Sequence, residues 1–118
     1  MLEIHNFKDT NFAKLVSENI VIKTIQNVVD MAQNSKFLGA NIVITRREQY
    51  ADEFYDLSGE SLIKVEEKAI SIGVKIAVIG DFKDLYEKGL KEFISNSNKK
   101  GFLFFFDSMH EAKHNLIR

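Results

Sequence analysis

The chain has 118 residues, 16 basic and 17 acidic side chains, a formal net charge of −1 and no cysteine. That length suits one domain over residues 1–118 with a core of its own, and the missing cysteine excludes disulfides, thiolate zinc sites, iron–sulfur clusters and a cysteine nucleophile. The balanced charge provides no general attraction for nucleic-acid backbones or anionic lipid, so neither is an expected partner.

Residues 2–7 alternate apolar with polar, which predicts a half-buried strand, and residues 12–16 predict a second. Between them Lys8, Asp9, Thr10 and Asn11 read as a turn, so the pair is expected to form a hairpin. Ile22, Ile25, Val28, Val29 and Ala32 recur at helical spacing and predict a helix over residues 22–34. Residues 40–45 are short, β-branched and bounded by Arg46 and Arg47, as a buried strand would be. Leu62, Val65, Ala69 and Ile72 form the next helical stripe, closed by Gly73. Residues 74–79 are apolar on both faces except at Lys75, the pattern of a central parallel strand.

Phe82, Leu85, Tyr86, Leu90, Phe93 and Ile94 predict a further helix weakened by Gly89, and residues 96–101 read as a polar loop. The aromatic run 102–106 predicts a fifth strand, and Ser108 with Glu111 forms a capping box for a last helix over 109–117. The order β-β-α-β-α-β-α-β-α places the chain in the α/β class, with a single mostly parallel mixed sheet flanked by helices. Ligands and partners of such sheets gather beyond the carboxyl ends of the strands. Here those are Arg46 and Arg47 through Ser58, Gly80 with Asp81, and Asp107 with Ser108. No segment approaches the about 20 apolar residues that span a bilayer, and residues 1–11 lack the basic-then-apolar order of a secretion signal, so a cytoplasmic protein is expected.

Five segments carry a family resemblance: Phe54-Tyr55-Asp56-Leu57, residues 74–81, residues 93–101 leading into the aromatic strand, residues 17–22, and residues 36–40. Over essentially the whole chain this combination resembles the bacterial domain-of-unknown-function family 4180 (DUF4180), which implies a fold and a bacterial cytoplasmic setting but no activity. More distantly, the element order is similar to the STAS fold of sulfate transporters and anti-sigma factor antagonists. In those antagonists an Asp-x-Ser-Gly turn enters the second helix, and phosphorylation of its serine by a partner kinase abolishes partner binding. Asp56-Leu57-Ser58-Gly59 stands at the matching place. The resemblance implies a non-catalytic regulatory or protein-interaction module, with residues 53–61 as its surface, Ser58 as the switch, and Asp56 and Gly59 shaping the turn.

The residues also allow plainer and rival readings. A serine or aspartate before a helix is an ordinary N-cap, so the plainer reading is that Asp56 or Ser58 simply starts the helix. Arg46 and Arg47 at a strand end suit an anion, and with the strand-end acids they define the alternative of a small-molecule or anion-binding domain. Asp56, Asp81 and Asp107 together suit a Mg²⁺ pocket, although strand-end aspartates are commonly turn formers. His110-Glu111-Ala112-Lys113-His114 spells the H-E-x-x-H of zinc hydrolases and puts two imidazoles on one helical face. A catalytic zinc needs a third protein ligand, and only four residues follow His114, so adventitious Zn²⁺ or Ni²⁺ is expected there rather than catalysis. No catalytic residue, resident metal or cofactor is expected. The partner is expected to be a protein, and the hairpin's edge strand is also able to pair with its mate in a homodimer.

Overall fold

The computed structural model describes residues 1–117. Strands β1 (Leu2–Phe7) and β2 (Thr10–Leu15) form the antiparallel hairpin, joined by Lys8 and Asp9 alone, both at positive φ (51° and 63°). Two left-handed residues make the two-residue turn whose twist matches the flanking strands, so Thr10 and Asn11 belong to β2 and not to the turn. Helix α1 (Ile25–Phe37) starts later than the apolar spacing predicts. Thr24 Oγ1 accepts the N–H of Asn27, and Asn27 Oδ1 accepts that of Thr24, a reciprocal cap that sets the start. Ile22 instead makes an isolated parallel bridge to Tyr50 and is buried.

Strand β3 (Ile42–Arg46) leads into two single-turn 3₁₀ helices, Arg47–Gln49 and Asp52–Tyr55, and then into α2 (Glu60–Ile72) and β4 (Lys75–Ile79). After β4 come the short α3 (Lys83–Leu85), a π turn at Tyr86–Leu90 and α4 (Lys91–Lys100). The break falls at Gly89, whose φ of 104° is closed to most side chains. The run expected as a polar loop is the second half of α4, because Ser97 continues the buried stripe of Ile94 and Gly101 at φ 86° supplies the stop. Strand β5 (Leu103–Phe106) and α5 (Met109–Leu116) complete the chain, with Ser108 Oγ accepting the N–H of Glu111 at 3.1 Å.

The sheet order is β1-β2-β3-β4-β5, and all pairs but the hairpin are parallel. This is the mostly parallel mixed sheet that the alternation of elements predicts. One face packs Ala13, Leu15, Val43, Ile76, Val78 and Leu103 against α1, α2 and α4. On the other, Ala112 and Ile117 at α5 cover Phe12, Ile42, Ile44, Ala77 and Phe106. Strand β1 is less buried than its alternation suggests: residues 3–6 are exposed, because the strand stands at the edge with only Leu2 and Phe7 tucked against the two cores. Among the described residues no helix is long and apolar enough to cross a membrane.

Candidate functional site

Because β2 to β5 run parallel, the segments that follow them gather at one end of the sheet: residues 16–24, 47–59, 80–82 and 107–108. At the centre is Gln49, completely buried. Its Nε2 donates to the carbonyls of Leu15 (2.9 Å) and Ser17 (3.0 Å), and its Oε1 accepts the N–H of Arg46 at 2.8 Å. Its own carbonyl accepts the N–H groups of Val21 and Ile22. One amide side chain thus reaches backbone groups of two strands and a loop, and is the partner of the Leu15 carbonyl and the Arg46 N–H at the end of the sheet. A glutamine between Glu48 and Tyr50 has no signal in the sequence that separates it from a surface residue.

Beside it, Thr45 donates to the carbonyl of Ala77 at 2.7 Å, so Tyr50, 2.9 Å from Thr45 Oγ1, is the donor in that pair. Tyr55 donates to the carbonyl of Arg47 at 2.8 Å. Burial pushes both tyrosine hydroxyls well above their ordinary pKa, which keeps them neutral donors.

Arg46 and Arg47 do not form the open cationic pair expected of an anion site. Arg47 makes a two-pronged contact with Asp84, at 2.6 and 2.8 Å, and a third bond to the carbonyl of Asp81 at 2.6 Å. Its guanidinium also lies over the rings of Tyr55 and Phe82. Arg46 donates to the carbonyl of Ser17 and lies 3.8 Å from Glu48. The hydrogen bonds from Arg47 hold the carboxyl of Asp84 down at about 2. Gly80 makes room for this strut, since a Cβ there would stand 2.8 Å from that of Arg47.

The bend 56–59 projects from this frame. Phe54 is buried, while Asp56, Leu57 and Ser58 are exposed. Asp56 Oδ1 accepts the N–H of Ser58 at 2.8 Å, and its carbonyl accepts that of Gly59 at 2.9 Å. Neither Asp56 nor Ser58 is the cap residue of α2; Gly59 holds that position at φ 70°, where a side chain would be strained. Ser58 Oγ accepts the N–H of Glu60 at 3.2 Å, so the hydroxyl faces water at the entrance of the helix. Behind the bend, an open groove of about 770 Å³ runs between Glu18, Ile20 and Lys23 on one side and Ala51, Asp52 and Glu53 on the other.

The acids expected at a Mg²⁺ pocket are separated. Asp81 and Asp107 line a depression of about 440 Å³ with Lys83 and Tyr86, and Asp56 is not part of it. Asp81 Oδ1 accepts the N–H of Lys83, the same turn that Asp56 makes with Ser58. Burial, with Asp107, Glu111 and Asp81 nearby, pushes the hydroxyl of Tyr86 up. His110 and His114 do share one face of α5, their rings stacked 6.1 Å apart beside Phe7 and Lys113. Among the described residues, no three His, Asp or Glu side chains are grouped to hold a metal ion, so the zinc reading lacks its third ligand.

Away from this end, buried Glu66 of α2 has its Oε2 2.6 Å from Ser97 Oγ and its Oε1 3.4 Å from Lys100 Nζ. Ser97 Oγ is also 2.9 Å from the carbonyl of Leu103; its one hydrogen serves one acceptor at a time, so the hydroxyl of α4 stands between an acceptor on α2 and one on β5. Its position beside Val65, on the stripe of Leu62 and Ala69, is the signal that could have identified Glu66 as buried.

The family DUF4180, described as a domain of unknown function, matches residues 7–116. The chain belongs to this family. The DUF4180 match runs from the last residue of β1 to the last of α5, and so includes the Gln49 network, the arginine struts and the bend. No curated protein and no solved structure matches the chain.

Proposed function

We propose that this DUF4180 chain is a non-catalytic regulatory module of the bacterial cytoplasm that binds a protein partner in the manner of STAS-like antagonists, with Ser58 as its switch. One observation carries the reading: the Ser58 hydroxyl is exposed at the entrance of a 13-residue helix, in a bend held by Asp56 and Gly59. A phosphate on that oxygen adds about two negative charges beside the N–H of Glu60 and the positive end of the α2 dipole, where they are tolerated without unfolding the helix. The same charges change the surface that a partner meets, next to exposed Leu57 and the groove lined by Ala51, Asp52 and Glu53. The polar side chains behind the bend act as struts or turn formers, and this supports binding over chemistry.

The test is incubation of the protein with host lysate and ATP, followed by mapping of the modified residue, beside a comparison of partners captured by wild type and by Ser58→Asp. Phosphate on Ser58 and loss of a wild-type partner by Ser58→Asp are the expected results. An unmodified Ser58 with an unchanged partner profile overturns the proposal.

A further inference from the structure

The two edges of the sheet are finished differently. At the β5 edge, α4 supplies side chains to the outward backbone groups: Asn98 Oδ1 accepts the N–H of Phe105 at 2.8 Å, and Ser97 Oγ lies 2.9 Å from the carbonyl of Leu103. A further strand would find the N–H of Phe105 taken and the carbonyl of Leu103 covered by Ser97. The β1 edge has no such cover. The N–H of Val16 donates to the carbonyl of Met1, and the pair Phe7 and Thr10 closes the two-residue turn, so the odd-numbered residues of β1 bond to β2. Alternation in an antiparallel ladder therefore turns the N–H and C=O groups of Leu2, Ile4 and Asn6 outward. Among the described residues no side chain or neighbouring segment bonds them. Ile4 is 40% exposed, large for an apolar side chain in the middle of a strand.

We infer that β1 is the contact between two copies of the chain, paired antiparallel about a twofold axis at Ile4. The choice of occupant rests on self-complementarity. With Ile4 opposite its own copy, Leu2 meets Asn6, Glu3 meets His5 and Met1 meets Phe7, and each of these pairs occurs twice. All the outward backbone groups of the strand then find partners. Glu3 faces His5 on its own strand, where Oε1 and Nε2 are 3.1 Å apart, and also across the axis, so the four side chains form a ring of alternating acid and imidazole. Centring the axis on Glu3 would set acid against acid, and centring it on His5 would set imidazole against imidazole and put Leu2 against the turn residue Lys8. The result is a continuous sheet across the two copies, with the β5 edges at its ends closed by α4. This inference goes beyond the switch reading and does not depend on Ser58.

The chain has no cysteine, so one introduced thiol reports the register. In the proposed pairing the two Ile4 Cα atoms stand about 5.5 Å apart, within disulfide reach. Two copies of Asn6 stand about 14 Å apart. Mild oxidation should therefore cross-link Ile4→Cys into a dimer on a non-reducing gel and leave Asn6→Cys monomeric. In sedimentation of the full chain over a concentration series, His5→Glu should raise the midpoint of dimerisation about tenfold, and the charge swap Glu3→His with His5→Glu should restore it. A wild-type chain that sediments as a monomer throughout, equal cross-linking at both positions, or a His5→Glu midpoint that does not move overturns the inference.

Discussion

Two regions share the carboxyl end of the sheet and are held on opposite terms. The frame around Gln49, Thr45, Tyr50 and Arg47 is tied by bonds that span distant parts of the chain: Gln49 reaches Leu15, Thr45 reaches Ala77, and Arg47 reaches Asp84. The bend at Asp56 to Gly59 is tied only to its neighbours, by bonds that close within four residues. Long-range bonds fix where the bend stands, and short ones leave Asp56, Leu57 and Ser58 open to water. A surface turn placed in this way is reproducible in position without being buried, as recognition by a partner requires.

The comparison is broken most severely at Gln49. Gln49→Ala leaves the N–H of Arg46 and the carbonyl of Leu15 buried without partners and should lower stability by about 3 kcal/mol, read as a fall in the urea midpoint. Asp84→Asn acts on the same frame from its wetter side. The carboxyl sits at about 2 in the folded chain, below its usual 3.8, so the unfolded chain binds this proton more readily. The contribution of the pair is therefore complete above about pH 4 and disappears as pH falls towards 2. Asp84 is half-exposed and its charge is screened, so the variant should be less stable than wild type by no more than about 1 kcal/mol at pH 7. Near pH 2 the two urea curves should converge. The smallest effect belongs to the bend: Ser58→Ala removes only an exposed acceptor for Glu60 and should change the midpoint by less than about 0.5 kcal/mol. A large loss there would show that the bend carries part of the frame.

Elements whose apolar pattern runs unbroken were legible as written. The stripe Leu62, Val65, Ala69 and Ile72 and the apolar run into Ile79 both stand where their periodicity puts them. Elsewhere a cap or a partner outweighs composition. Thr24 and Asn27 start α1 after Ile22 has left for Tyr50, and Ser97 carries α4 through a stretch of polar residues. In the candidate site, the exposed positions of Asp56 and Ser58 match a turn written in local residues. The partners of Arg46, Arg47 and Gln49 do not, since each lies more than a helix away along the chain for at least one bond.

From its order of residues alone this chain specified an α/β sheet of five strands, a leading hairpin, and an Asp-Leu-Ser-Gly bend ahead of the second helix. Those features follow from spacing and from torsions that neighbouring residues impose on one another. Only the tertiary structure decided that the two arginines are struts, that Gln49 is interior, and that one sheet edge is closed while the other is open. These depend on which distant groups meet once water is excluded, and buried hydrogen-bonding groups must then pair with whatever the fold has brought within 3 Å of them.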